Sequence, residues 1–88
     1  MIIYIGNLPK DVDEDELHDM FEEYGAVISA KIIRDHYTKK SLGYAFVKMD
    51  DTDAALKAIE EWDEGSIDDQ IIKVQEARFT KRSRRTRK

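Results

Sequence analysis

The sequence predicts an α+β domain of element order β-α-β-β-α-β, and three observations carry that reading. Two short segments, residues 3–8 and 43–49, sort their side chains with the two-residue period of a strand. Two other stretches place apolar residues three and four apart, the period of a helix, each behind an acidic capping residue. A chain of 88 residues has room for one small core, so these elements must share it.

Strand 1 is expected over residues 2–5, so that the fold begins at once with nothing before it. Asn7-Leu8-Pro9 turns the chain, and Asp13 with Glu16 forms an acidic capping box that starts helix 1. That helix runs to about residue 24 and puts Leu17, Met20, Phe21 and Tyr24 on one face. Residues 27–34 form strand 2, whose apolar positions (Val27, Ala30, Ile32) are irregular enough to predict a bulge. A polar loop at 35–42 leads into strand 3 at 43–49. Asp51 caps helix 2, which reaches about residue 62 and offers Ala55, Ala58, Ile59 and Trp62 to the core. Asp63-Glu64-Gly65-Ser66 ends it. Residues 71–77 form strand 4, with Ile72 and Val74 inward and Lys73 and Gln75 outward. This order is the split βαβ, ferredoxin-like arrangement, a four-stranded antiparallel sheet with both helices on one face. Right-handed crossovers set strands 1 and 3 side by side in its centre. The domain is thus expected over residues 1–77, followed by a basic, disordered tail at 78–88.

If Ile3, Ile5, Ala45, Val47 and Met49 face the core, then Tyr4, Tyr44 and Phe46 face water. Leaving a ring of that size exposed forgoes about 1.5–3 kcal/mol of burial. Three rings on one face form a surface suited to flat partners, and nucleobases are flat. The segments carrying them resemble the two signature motifs of the RNA recognition motif family. One motif runs basic-Gly-aromatic-Gly/Ala-Phe-Val-x-aromatic and is matched from Gly43 to Val47, with Leu42 in the basic position and Met49 in the last aromatic one. The other, aliphatic-aromatic-aliphatic-x-Asn-Leu, is matched at every specified position from Ile3 to Leu8. The resemblance spans residues 2 to about 77. It implies single-stranded RNA laid across the sheet. Tyr4 and Tyr44 would each stack a base, and Phe46 would contact a sugar or base between them. Lys73, Gln75, Ala77 and Arg78 would meet neighbouring nucleotides. Lys31, Lys48 and Lys73 flank the rings, each either reaching a phosphate or base edge or standing as a solvated surface charge. Leu42 removes the basic residue that in the family commonly holds the phosphate backbone, a loss that Lys39, Lys40 or Lys48 would offset.

The net charge of −4 conceals a segregation. Residues 78–88 hold seven Lys/Arg and no acid, which leaves eight bases against nineteen acids, a net of −11, in residues 1–77. The acids concentrate on the two helices and their caps, from Asp13 to Glu23 and from Asp51 to Glu61. Lys31, Arg34, Lys39, Lys40, Lys48 and Lys73 fall on the strands and the hairpin. An acidic back, a basic front and a basic tail would turn a polyanion towards the front. The tail reads as a sequence-independent phosphate attractor, against the blander reading of a solubilising end, or as a nuclear-localisation-like patch in a nucleated cell. Phe79 either packs on the domain or stacks a base.

Other chemistries find little support. There is no cysteine, which removes disulfides and thiolate metal sites and suits a reducing compartment. No apolar run approaches a membrane span or a signal-peptide core. His18 and His36 lack a neighbouring cysteine, an acid triad or metal-ligand spacing, and read as helix-surface and loop residues. The acids at 13–19 lack the glycine turn of an EF-hand and read as a helix start that favours negative charge. No nucleophile, base and oxyanion site assembles. A ferredoxin-like acylphosphatase-type hydrolase would need an arginine beside Asn7, and none stands there. The expectation is therefore a monomeric, non-enzymatic single-stranded RNA binder without cofactor, metal or small-molecule substrate. It would act after transcription in the cytoplasm, or in a nucleus where there is one, and resembles the small stand-alone RNA-binding proteins of bacteria and cyanobacteria. The alternative is a protein-interaction module of the same fold that binds a peptide on its acidic helical face or sheet.

Overall fold

Asp13 and Asp51 decide where the helices start. In the computed structural model, which describes residues 1–77, the Asp13 carboxylate accepts from the Glu16 N–H at 2.9 Å while Glu16 Oε1 accepts from the Asp13 N–H. That reciprocal box satisfies two otherwise orphaned donors. Asp51 accepts from the N–H groups of Asp53 and Ala54 in the same way. The elements are β1 (Ile2–Gly6), α1 (Glu14–Glu22), β2 (Val27–Arg34), β3 (Ser41–Met49), α2 (Thr52–Trp62), β4 (Ser66–Ile67), β5 (Gln70–Ile71) and β6 (Lys73–Glu76).

Four of the strands make one antiparallel sheet in the order β2-β3-β1-β6, with β1 and β3 central as the crossover rule requires. Helix α1 packs on β2 and β3, and α2 on β3 and β6. Between sheet and helices, Ile3, Ile5, Ala45, Val47, Met49 and Val74 meet Leu17, Phe21, Ala55 and Ala58, all at 1% exposure or less. Met20, Tyr24, Ile59 and Trp62 pack around that core half-buried. The predicted irregularity of strand 2 is present as register shifts between Val27 and Ser29 and between Ile32 and Arg34.

Strand β1 runs one residue past the sequence reading, to Gly6, and α1 stops at Glu22, short of residue 24; two further boundaries differ for reasons the structure shows. Strand β3 begins at Ser41, because Arg34 and Ser41 already pair across the hairpin. The loop shortens because the Asp35 carboxylate accepts from the N–H groups of Tyr37 and Thr38 and folds the chain back tightly. The expected final strand at 71–77 is also divided. Ile71 belongs to the small β4–β5 hairpin, whose turn residues Asp68 and Asp69 take positive φ of 48° and 71°. Ile72 bridges the two units, its N–H donating to the Gly65 carbonyl and its carbonyl accepting from the Glu64 N–H. Only Lys73–Glu76 joins the sheet.

Candidate nucleic-acid interface

Strand pairing lines up a row across the open face of the sheet: Lys31, Phe46, Tyr4 and Gln75 lie on adjacent strands at matched register. Tyr44 follows in the next row, opposite Gly6 and therefore in line with Lys73. Lys48 sits in the row on the other side, opposite Ile2, whose carbonyl accepts from the Ala77 N–H at 2.8 Å. The structure thus brings Tyr4, Tyr44, Phe46, Lys31, Lys48, Lys73, Gln75 and Ala77 onto one face. Arg78 and the rest of the basic tail, including Phe79, lie outside the described residues.

The rings form a cluster. Tyr4 is 5.8 Å from Phe46 and 6.1 Å from Tyr44 between centroids, and Tyr44 meets Phe46 edge-on at 6.3 Å. All three are half-exposed. Gly6 gives the Tyr4 ring its place: a Cβ at that position would stand 2.6 Å from the Tyr4 hydroxyl and 2.9 Å from its Cε2. The ring therefore lies over Gly6 along the strand. Gly43, at φ 92°, holds a backbone conformation that side chains disfavour, and its carbonyl accepts from the Leu8 N–H at 2.8 Å. The two motif glycines thus seat a ring and join the end of β1 to the start of β3.

The cations differ in their engagement. Lys31 and Lys48 are exposed and form no ion pair among the described residues. Lys73 donates to Glu64 at 3.0 Å, and the Glu64 carboxylate raises its pKa above the ordinary lysine value. Nothing in the local sequence signals that pair, because Glu64 lies beyond α2. Both partners are exposed, so a phosphate can compete for the lysine at little cost. On the opposite edge, Arg34 donates to Glu14 at 2.8 Å and lowers the pKa of that carboxyl, tying β2 to α1.

Sequence reasoning missed what borders the rings. Asn7 takes a left-handed backbone (φ 56°), its side-chain N–H donates to the Ile71 carbonyl at 2.7 Å, and its own carbonyl accepts from Gln70 at 3.1 Å. These bonds draw the β4–β5 hairpin against the end of β1. An open groove of about 560 Å³ results beside the rings, lined by Tyr4, Asn7, Leu8, Lys10, Leu42, Gly43, Tyr44 and Gln70. Most of its lining stood in or beside the two motifs, whereas nothing in the sequence singled out Lys10 or Gln70.

His18 and His36 lie on α1 and in the β2–β3 loop, where the sequence put them. His18 has acids beside it, Nδ1 standing 3.4 Å from Glu22 and 4.0 Å from Asp19 on the open helix surface. That is the geometry of an ordinary i, i+4 pair. No described helix is long and apolar enough to cross a membrane.

A four-stranded sheet with aromatic rings on its open face and both helices behind defines a class of binding platform. The chain belongs to the RNA recognition motif family, whose family model matches residues 3–73. It is 50% identical over 58 residues to a polyadenylate-binding protein of Candida glabrata, covering 66% of this chain and 10% of that protein. It is 38% identical over 72 residues to a chloroplastic 28 kDa ribonucleoprotein of Spinacia oleracea, covering 82% of this chain and 31% of that one. The chain therefore spans about a tenth to a third of these relatives. Among solved structures it is similar to the RNA-binding protein PG1, with a TM-score of 0.85 at 42% identity over 88% of this chain and 93% of that one. It is also similar to the Sxl-lethal protein/RNA complex, with a TM-score of 0.85 at 29% identity over 89% of this chain and 47% of that one.

Proposed function

We propose that the protein binds single-stranded RNA across the open face of its sheet, with no catalytic step. The observation that carries this reading is the contiguous cluster of Tyr4, Tyr44 and Phe46, with Tyr4 and Phe46 in a row that ends in Lys31 and Gln75 and Tyr44 in the next. Tyr4 and Tyr44 each offer a face to a base, and Phe46 contacts a sugar or base between them. Lys31 and Lys48 reach phosphates, with Lys73 available by exchange from Glu64. Gln75 and Ala77 bring side-chain and backbone groups to the edge of the platform. Membership of the RNA recognition motif family and likeness to a protein solved in complex with RNA support the same reading. Residues 78–88, including Arg78, add sequence-independent attraction to phosphate through their seven Lys/Arg. The cytoplasm, or a nucleus, is the setting this function suits.

Stacking requires bases out of a helix, and the deep groove of A-form RNA withholds them. Titration against a single strand and against a hairpin stem of the same sequence tests the proposal. The single strand should bind at least tenfold more tightly, about the worth of one stacked base. Equal or tighter binding of the stem would reduce the protein to a general polyanion binder.

A further inference from the structure

We propose that the groove beside the rings is a seat for one further nucleotide, which sets its base on Leu42 and its phosphate on Lys10. This rests on the reading of the sheet as a single-stranded RNA surface and concerns what lies past its last ring.

Three observations converge there. Leu42 is 50% exposed and lies on the same face of β3 as Tyr44 and Phe46, an apolar surface continuing the row of rings. A basic side chain at that position would draw a phosphate, whereas an exposed leucine beside an open groove gains only from a partner with an apolar face. The lining also carries polar groups. The hydrogen bonds that hold the hairpin use the amide nitrogens of Asn7 and Gln70, since both nitrogens meet carbonyl oxygens. That leaves their two amide oxygens as acceptors among the groove-lining residues. Acceptors of this kind favour a base edge bearing an exocyclic amino group. Finally, Lys10 is exposed, lines the same groove and engages no side-chain partner among the described residues. Its ammonium supplies the phosphate contact that Leu42 gives up. The volume of about 560 Å³ lies within the range of small-ligand sites.

The test uses the full chain and single-stranded RNA oligonucleotides that lengthen by one nucleotide at either end of a minimal bound core. For wild type, adding the nucleotide that reaches the groove should tighten binding about tenfold, near the worth of one base contact. An abasic residue at the added position should lose most of that gain. In Leu42→Ala, and separately in Lys10→Ala, the gain should shrink while the minimal core binds as before. Lys10→Ala should also flatten the salt dependence by about 0.7 in log K per log salt, for the longer RNA alone. Both positions are exposed, and unchanged melting temperatures would exclude a folding effect. A gain that survives in both variants, or that an abasic residue reproduces in full, would overturn the seat. Equal weakening of core and lengthened RNA would overturn it too, by assigning these residues to the ring site. Failure of wild type to bind the minimal core would instead overturn the ring platform itself.

Discussion

Tyr4 is held in place by an absence. Gly6 leaves room for the ring to lie along the strand, and a methyl group there would stand 2.6 Å from the hydroxyl. Gly6→Ala should lift the ring out of line with Tyr44 and weaken RNA binding, while the fold, whose core lies on the other face, persists. Calorimetric titration beside a thermal melt checks both halves. Lys73 shows the complementary case, a site residue already engaged. Removing its acid in Glu64→Gln should strengthen RNA binding and steepen the salt dependence by about 0.7 units, one more phosphate neutralised on a single strand. An unchanged slope would place Lys73 outside the interface. Neither feature was open to sequence reasoning. The ring over Gly6 depends on a side-chain torsion, and the Lys73–Glu64 pair on where the chain goes after α2.

At the scale of elements, the strands and helices were legible wherever a period or a cap wrote them. Asp13 and Glu16 announced α1, and the alternation through Tyr44 and Phe46 announced β3. The β4–β5 hairpin was not legible. Its strands are two residues each, too short to show a period, and its turn is Asp68-Asp69 instead of the Asn-Gly or Asp-Gly pairs that mark such turns. Asn7 fastens that hairpin to β1. Asn7→Ala should cost about 1–3 kcal/mol, from the lost bond to Ile71 and a left-handed backbone that alanine tolerates poorly. Asn7→Gly should recover the backbone part alone, which chemical denaturation of the two variants would show. Glu14 and Arg34 tie α1 to β2. The bond from Arg34 holds the Glu14 pKa below the ordinary glutamate value, so the stabilisation is present above that ordinary value and lost as pH falls through the folded one. The pair is partly exposed, so Glu14→Gln should cost less than about 1 kcal/mol at neutral pH. The variant and wild type should converge in stability as pH falls below the folded pKa, where the carboxyl is neutral folded and unfolded.

For the whole molecule, charge and shape divide the work. A body of net −11 would repel RNA, yet its acids crowd the helices while Lys31 and Lys48 stand on the sheet. The tail adds seven bases. If three or four of them meet phosphates, deleting residues 79–88 should flatten the salt slope by about 2–3 units and leave sequence preference intact. An unchanged slope would make the tail a solubility element. Loss of preference along with affinity would mean that the tail, through Phe79, reads bases. The central claim concerns the rings, and magnitudes decide it. As an exposed platform, Tyr44 or Phe46 truncated to alanine should cost about 1–3 kcal/mol of RNA binding per stacked base. Stability should fall by no more than about 1.5 kcal/mol, the worth of an aromatic pair. As core residues they would cost about 3–5 kcal/mol of stability. Measuring both quantities on Tyr44→Ala and Phe46→Ala is the most direct test. The account predicts weakened binding by a protein that still melts near wild type; a strongly destabilised protein, or a stable one with wild-type affinity, would contradict it.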